Sequence, residues 1–175
     1  MNYIKDLKLN NNLYKDTFNA IIEIPKGSKI KSELEDGSFD KLIINRKIKL
    51  SYPFYYGCFP ETLAGDNDPL DMVLLTNKKY NQLDVVEVML IGVLKTIDNN
   101  EIDDKIFVIP ADEEISNIDK LINKALDFLS KYKGKKANMK IEGYFDKLEA
   151  DHIVLKAHKD YLNKYKTNKN LKVDF

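Results

Sequence analysis

The chain has little of several features that would define its class. Among its 175 residues there is one cysteine, Cys58, which excludes an internal disulfide, and one cysteine with two histidines suits a zinc site poorly. Basic and acidic residues balance at 28 each, so no overall basic field exists for nucleic acid or an anionic membrane. No apolar stretch approaches a membrane span, and the first residues lack a signal-peptide h-region. We therefore expect a cytoplasmic globular protein that binds neither nucleic acid nor membrane.

Arginine is also nearly absent, since Arg46 is the only arginine among the 28 basic residues. This bias indicates that lysine has replaced arginine wherever either would serve. The arginine that remains is a candidate for planar, bidentate recognition of phosphate, which a lysine ammonium cannot supply. A chance position explains the single arginine equally well.

What the chain does have is a dense group of acids, with three aspartates within residues 66–71, directly before the apolar run 72–75. Their mutual repulsion raises their pKa values unless cations lie among them. Pro69 stiffens the loop, and a stiff loop of carboxylates suits Mg²⁺ or Mn²⁺. An EF-hand is excluded because Asp71 and Asn77 occupy the positions that require Gly and Glu. A solvated acidic turn is the alternative.

Two further groups of acids stand out. Glu23 lies within the apolar run Ile-Ile-Glu-Ile-Pro, and buried acids are rare unless they are paired or bound to metal, although an edge strand would also explain it. Asp98 and Asp103, with Lys105 just beyond, follow a predicted strand and by themselves are ordinary turn residues.

The hydrophobic pattern predicts strands first and helices later. The predicted strands cover residues 20–24, 41–44, 72–75, 85–97, 106–109 and 139–144, with a long ordered loop over 50–65 and a turn over 98–100. The first predicted helix has the apolar face Ile118, Leu121, Ile122, Ala125, Leu126 and Leu129 and a capping box formed by Ser116 and Asp119. The last predicted helix carries Leu148, Ile153, Ala157, Tyr161 and Tyr165, and residues 164–172 are expected to fray.

These elements predict an α+β fold that is mainly β. We expect a small, closed, OB-like β-barrel with flanking helices late in the chain. A length of 175 residues favours a single domain over 1–175, in which 1–15 and 166–175 are peripheral.

Taken in order, these residues resemble the soluble family I inorganic pyrophosphatases of the short bacterial type, from residue 18 to about residue 144. The family signature Asp-x-Asp-Pro-x-Asp matches residues 66–71, and its Tyr-Pro-x-x-Tyr-Gly loop matches 52–57. The other matching positions are Glu23, Lys31, Glu33, Arg46, Asp98, Asp103, Lys105, Tyr132 and Lys133. Ser32, Tyr55 and Asn67 depart from the pattern, which commonly has Tyr, Asn and Gly there.

The resemblance implies Mg²⁺-dependent hydrolysis of pyrophosphate to two orthophosphates by a metal-activated water, with no covalent intermediate. It implies Asp68 as the general base, Mn²⁺ as a possible substitute and a homohexameric assembly. The implied metal ligands are Glu23, Glu33, Asp66, Asp71, Asp98 and Asp103. The implied substrate ligands are Lys31, Arg46, Tyr56, Lys105, Tyr132 and Lys133. The alternative is an OB-type module that binds nucleic acid or phosphate without turnover.

Overall fold

The computed structural model describes residues 1–10, 16–35 and 38–166. Nine strands and two helices lie within these ranges. In chain order they are β1 (Phe18–Ile24), β2 (Ile30–Leu34), β3 (Leu42–Lys47), β4 (Tyr55–Cys58), β5 (Asp71–Leu74), β6 (Val85–Asp98), β7 (Glu101–Ile102), β8 (Lys105–Pro110), α1 (Ile118–Lys131), β9 (Met139–Phe145) and α2 (Lys147–Tyr165). The predicted terminal fraying beyond residue 166 lies outside the described residues.

Five of the strands close into a barrel. Neighbours pair in the order β1-β4-β5-β8-β6, and β6 pairs again with β1, so the sheet has no free edge along this circuit. Only the β5–β8 pair is parallel. A closed five-stranded barrel of this kind has the OB-like architecture. The predicted fold class, α+β and mainly β, is confirmed.

Strand β4 corrects the sequence-based prediction of a long loop over residues 50–65. Tyr55–Cys58 is fully buried and forms an interior strand between β1 and β5. The prediction was misled by Gly57, which is required for a close approach between strands. A Cβ at this position would lie 1.8 Å from the carbonyl oxygen of Ile21, so glycine lets β4 pack directly against β1.

The long strand β6 serves two parts of the sheet. Its first residues pair with β1, and its last residues pair with β9. The turn after it is the predicted one, since Asn99 and Asn100 have φ values of 49° and 68° and join β6 to β7. Two consecutive positive φ values are typical of a type I′ hairpin turn, which asparagine tolerates. Asp98, the last residue of β6, is thereby held in a fixed position.

Both helices pack against the barrel. The buried face of α1, Ala125, Phe128 and Leu129, lies in a cluster with Tyr52 and Phe54. Each fully buried side chain of this size contributes about 1.5–3 kcal/mol relative to leaving it exposed. The predicted capping box is wrong, because Asn117 is the N-cap residue of α1 and its side chain makes no capping hydrogen bond.

Helix α2 begins where Asp146 accepts a hydrogen bond from the Glu149 backbone amide at 3.2 Å. Its buried residues are Ala150, Val154, Ala157 and Tyr161, whereas the predicted face began at Leu148, which is 65% exposed. The small residues at 150, 154 and 157 let the helix approach the barrel closely. Within the described part of the chain, no helix is both long and apolar enough to cross a membrane.

Strands β2 and β3 form a separate antiparallel pair, which we call the ribbon (residues 30–34 and 42–47). Within the described residues, neither ribbon strand pairs with a strand of the barrel sheet. A bulge between Lys31 and Ser32 shifts the register of the pair, so that Lys31 lies opposite Arg46. The ribbon is therefore attached to the barrel by contacts other than a continuous strand ladder.

Candidate active site

Strand direction brings the predicted site residues to one end of the barrel. The parallel pairing of β5 and β8 places Asp71 opposite Lys105, and each is the first residue of its strand. Strand β6 runs antiparallel to β8, so its final residue, Asp98, reaches the same end. The short segment between β7 and β8 adds Asp103 there. Residues far apart in sequence therefore meet because three strands begin or end at this end of the barrel.

A cavity of about 230 Å³ lies at this end. Drug-sized ligands occupy pockets of roughly 300–1,000 Å³, so this cavity suits a smaller ligand. Twelve of the thirteen predicted site residues line it: Glu23, Lys31, Glu33, Tyr56, Asp66, Asp68, Asp71, Asp98, Asp103, Lys105, Tyr132 and Lys133. Arg46 is exposed and is not part of the wall.

A second cavity, of about 350 Å³, lies between α2 and the loop that follows β4. Its wall is mainly apolar, with Leu63, Leu70 and Ile153 among its residues, and it contains none of the predicted site residues. The predicted site residues are thus concentrated in the smaller cavity.

Lys105 is the buried cation at the base of the cavity, with a side chain only 2% exposed. Its Nζ lies 2.6 Å from Oδ2 of Asp71 and also contacts Oδ1 of Asp103. Burial alone would lower the lysine pKa, but the two carboxylates outweigh it and raise that pKa above the ordinary value. Lys105 therefore remains charged.

The pKa values of the two carboxylates around Lys105 shift in opposite directions. Burial alone would raise the pKa of Asp71, but the Lys105 ammonium and a hydrogen bond from the Tyr56 hydroxyl (2.5 Å) outweigh it and lower that pKa. Burial raises the pKa of Asp103, although Lys105 and Lys133 oppose the shift. The expectation that clustered acids are neutralised by cations thus holds for Asp71, with a lysine as the cation.

A second lysine closes the other side of the cavity. Lys133 follows α1, whose C-cap residue is Tyr132, and its Nζ contacts Oδ2 of Asp98 and lies 3.5 Å from Oδ2 of Asp103. Burial alone would lower its pKa, but the adjacent tyrosine and carboxylates raise it. The end of α1 therefore supplies a charged lysine and a phenol to the same cavity.

The acidic loop is held in shape by its own hydrogen bonds. Oδ1 of Asp66 accepts from the Asp68 backbone amide at 3.1 Å, and between them Asn67 has a φ of 68°. Asparagine tolerates this left-handed conformation better than most residues. Burial raises the pKa of Asp66, with a further contribution from the charge of Asp71. Asp68 is exposed at the mouth of the cavity, where it can exchange protons with solvent.

Glu23 is not on an edge strand, because β1 lies between β4 and β6. A bulge between Ile22 and Ile24 leaves it as the extra residue of its strand, which re-aims its side chain. Its Oε1 accepts from the Leu34 backbone amide at 2.7 Å. Burial raises the pKa of Glu23 to about 8, against the opposing effect of this hydrogen bond. The acid is therefore largely protonated at neutral pH in this arrangement.

The ribbon supplies the outer wall. Lys31 and Glu33 line the cavity and pair with each other at 3.5 Å, and Asn45 donates to Oε1 of Glu33 at 2.7 Å. Because Lys31 and Arg46 are directly opposite, their side chains lie on the same face of the ribbon. Arg46 is consequently adjacent to the cavity, although it is not part of its wall.

Among the described residues, no group of three or more acidic, histidine or cysteine side chains converges as a metal site. The carboxylates instead contact lysines, hydroxyls or amides. The donor set nevertheless fits a hard cation, because seven carboxyl groups and three lysines line the cavity, and the carboxylates remain in excess even with Glu23 protonated. A phosphate-bearing anion would be repelled by this excess, and divalent cations with oxygen ligands would remove it.

Comparison with known proteins agrees with this geometry. The sequence model described as inorganic pyrophosphatase matches residues 20–162. The chain belongs to the inorganic pyrophosphatase family. It is 35% identical over 156 residues to the inorganic pyrophosphatase of Nanoarchaeum equitans, covering 81% of this chain and 96% of that protein.

Solved structures of the family share the fold. The inorganic pyrophosphatase of Helicobacter pylori superposes with a TM-score of 0.76 at 31% identity, covering 90% of this chain and 99% of that chain. The enzyme from Thermus thermophilus gives a TM-score of 0.79 at 26% identity, covering 91% and 98%. As the family is generally metal-dependent, its chemistry is consistent with the excess of carboxylates.

The three departures from the family pattern have structural explanations. Tyr55 points away from the cavity, where its hydroxyl accepts from the Tyr80 backbone amide at 3.2 Å and the two rings pack edge to face. Asn67 adopts the positive φ that glycine would otherwise supply. Ser32 is buried, and its hydroxyl donates to the Glu23 carbonyl oxygen at 2.7 Å.

The structure adds cavity residues that the sequence did not single out as functional. Leu34, Phe39, Cys58 and Pro69 line the wall together with the predicted residues. Cys58 is 2% exposed, and burial raises the pKa of its thiol, as does the neighbouring Glu23. In the sequence, only its position directly after the matched residues Tyr56 and Gly57 indicates that Cys58 lies near the site.

Proposed function

We propose that the protein hydrolyses inorganic pyrophosphate to two orthophosphates in a reaction that requires Mg²⁺. The observation that carries this proposal is the combination of seven carboxyl groups and three lysines around one small cavity, in a chain of the inorganic pyrophosphatase family. Such a cavity binds a small polyanion only together with cations. Pyrophosphate with divalent ions satisfies both requirements.

In this proposal the residues have distinct tasks. Lys31, Lys105, Lys133, Tyr56 and Tyr132 bind the phosphoryl oxygens, and Arg46 reaches them from the adjacent ribbon face. Asp66, Asp71, Asp98 and Asp103, with Glu23 and Glu33, hold Mg²⁺, for which Mn²⁺ is a possible substitute. Bound divalent ions neutralise the substrate and lower the pKa of water. Asp68 takes a proton from the attacking water, and its exposure lets it pass that proton to solvent.

No covalent intermediate is part of this proposal. Cys58 is buried and its thiol pKa is raised, so it is a poor nucleophile. The positioning of water against a neutralised phosphoryl group is sufficient for phosphoryl transfer.

The decisive experiment is phosphate release from pyrophosphate with and without Mg²⁺. We expect release only with the divalent ion, and we also expect Mg²⁺ to raise the melting temperature by binding preferentially to the folded protein. Activity that persists unchanged after exhaustive EDTA treatment would contradict the proposal.

The composition of the cavity wall disfavours the alternative function, binding of nucleic acid by an OB-type module. Sequence-independent binding of single strands uses a basic groove with stacking aromatics, whereas acids outnumber lysines here by seven to three. Salt-sensitive binding of single-stranded DNA together with no phosphate release would favour that module, or a phosphate-binding protein without turnover.

We further propose a homohexamer, as the family resemblance implies. Support comes from apolar side chains left exposed on β9 and α2, among them Phe145 at 43%, Leu148 at 65% and Leu155 at 58%. Sedimentation velocity tests the assembly. The cytoplasmic location expected from the sequence stays a prediction, which cell fractionation tests.

A further inference from the structure

The position of the ribbon relative to the barrel determines where three of the proposed site residues lie. The ribbon carries Lys31, Glu33 and Arg46, yet within the described residues it shares no strand ladder with the barrel that carries the other charged groups. A displacement of the ribbon by about 1 Å would be enough to impair a positioned reaction strongly. Something must therefore fix the ribbon relative to the barrel.

The hydrogen bonds that join strand β2 to the barrel converge on Glu23, whereas the connection between β2 and β3 is tied separately to the N-terminal segment. The Leu34 backbone amide donates to its side-chain Oε1 at 2.7 Å, and the Ser32 hydroxyl donates to its backbone carbonyl oxygen at 2.7 Å. The Gln82 amide group donates both to that carbonyl oxygen, at 2.7 Å, and to Oγ of Ser32, at 2.9 Å. We call these four residues the docking cluster.

The cluster depends on the irregularity of β1. Glu23 is the extra residue of a bulge, and the extra residue of a bulge is left out of the ladder. Its carbonyl oxygen is consequently available to a serine and a glutamine from outside the barrel sheet. Ser32 both donates and accepts, so the three polar groups of Glu23, Ser32 and Gln82 form a closed triangle.

Ser32 and Leu34, which also border the cavity, alternate with its two charged ribbon residues, Lys31 and Glu33. Lys31 precedes Ser32, and Glu33 lies between Ser32 and Leu34, so fixing Ser32 and Leu34 also fixes the positions of both charged side chains. Apolar packing alone would hold the ribbon against the barrel but would leave it free to slide. Directional hydrogen bonds remove that freedom.

We propose that Ser32 and Gln82 are positioning residues that hold the ribbon, and with it Lys31 and Glu33, in register over the substrate cavity. This inference rests on the proposed function and deepens it, because it names residues that set substrate affinity through the positions of Lys31 and Glu33. Removing either side chain should weaken the binding of pyrophosphate. The barrel residues proposed to activate water should keep their positions.

Steady-state kinetics of Ser32→Ala at saturating Mg²⁺ test the proposal. We expect KM for pyrophosphate to rise about tenfold, on the scale of one lost hydrogen bond, and kcat to change less than about threefold. Gln82→Ala should raise KM by about threefold, since Gln82 is exposed and water replaces part of its contact. The double variant should match Ser32→Ala alone, because residues acting as one unit are not additive.

The matched control is Ser28→Ala. Ser28 precedes the same ribbon, but its hydroxyl bonds only locally, to the backbone of Ile30 at 3.0 and 3.1 Å. We expect wild-type KM and kcat in this variant. A wild-type KM in Ser32→Ala, an equal rise in Ser28→Ala, or a fall in kcat at unchanged KM would each overturn the proposal, as would additive effects in the double variant.

Amide hydrogen exchange, measured without metal or substrate, separates this inference from the proposed function. Ser32→Ala should accelerate exchange across β2 and β3 while leaving β5 and β8 protected, and Ser28→Ala should not. If the wild type released no phosphate, the proposed function would fail, yet faster ribbon exchange would still support docking by this cluster. Unchanged ribbon exchange in Ser32→Ala would refute the docking role whatever the activity.

Discussion

The two walls of the cavity are built on different principles. On the barrel wall the side chains of Lys105 and Asp103 are 2% and 13% exposed; strand pairing positions Lys105, and the Asp103 backbone amide donates to the Thr96 carbonyl oxygen. On the ribbon wall Lys31 and Glu33 are 25% and 38% exposed, and three hydrogen bonds join the ribbon to residues outside it. These charged groups of the barrel wall are therefore buried within the fold and contribute to its stability. Those of the ribbon wall are partly exposed and contribute little to stability. Substitutions on the two walls should consequently fail in different ways.

The largest effect is expected at the mouth of the barrel wall, where Asp68 is exposed. Asp68→Asn keeps the shape of the side chain but removes the proposed base, so we expect kcat to fall about 10²–10⁴-fold. Isothermal titration with Mn²⁺ should show metal affinity largely retained. In Asp71→Asn, by contrast, metal affinity itself should fall. The opposite order of metal affinities would reverse the two assignments.

The contrast between walls is tested most directly by removing one lysine from each. Lys105→Met leaves Asp71 without its cation and Asp103 with Lys133 alone, so the free energy of unfolding should drop by about 3–5 kcal/mol. Lys31→Met breaks a partly exposed pair, and its loss should stay below about 1 kcal/mol. Urea unfolding in EDTA measures both. Equal losses would mean that the walls do not differ in the way described.

Glu23, where the ribbon contacts the barrel, should make the stability of the protein depend on pH. Its folded pKa of about 8 lies above the ordinary value of 4.5, so between these values the folded protein holds a proton that the unfolded chain releases. Metal-free protein should therefore lose stability as pH rises through this window, by at most about 1.4 kcal/mol per pH unit.

Glu23→Gln isolates this effect, because it keeps an acceptor for the Leu34 amide and cannot ionise. Urea unfolding of both proteins in EDTA from pH 5 to 8 should show a flatter profile in the variant. Parallel profiles would show that Glu23 does not titrate in this range.

The smallest effect is expected at Arg46 on the ribbon. Arg46→Lys keeps the charge but loses the planar pair of donors, so we expect kcat/KM to fall about tenfold with little change in stability. The control is Lys78→Arg, an exposed position whose side chain pairs with Asp112 far from the cavity, and it should be silent. Wild-type kinetics in Arg46→Lys would make Arg46 an ordinary surface cation.

The sequence predicts the barrel better than the ribbon, for a physical reason. Strands buried in the barrel, such as β5 and β8, are continuous apolar runs that stand out in any hydrophobic profile. Strand β2, with the sequence Ile-Lys-Ser-Glu-Leu, lacks such a run because one side of it faces the charged cavity. The sequence indicates this segment only through two positions that match the family pattern, Lys31 and Glu33.

The candidate site was largely predictable because its residues follow the ordered pattern of a family, and their lining of one cavity agrees with it. The supporting contacts were not predictable. Ser32 and Gln82 are 50 residues apart in sequence, and their contact depends on a bulge at Glu23 that no local pattern signals. Glycine at position 57 was similarly ambiguous, since a turn and a close strand approach favour the same residue.

The single thiol of the chain has a practical consequence. Cys58 lies in the interior strand β4 with 2% exposure, so a thiol reagent added to the folded protein meets no competing cysteine and no accessible thiol. Modification must await separation of β4 from its neighbours, and its rate under mild conditions then reports how often the barrel opens. The protein thus carries a native chemical reporter of barrel opening, positioned at the wall of the cavity and requiring no engineered label.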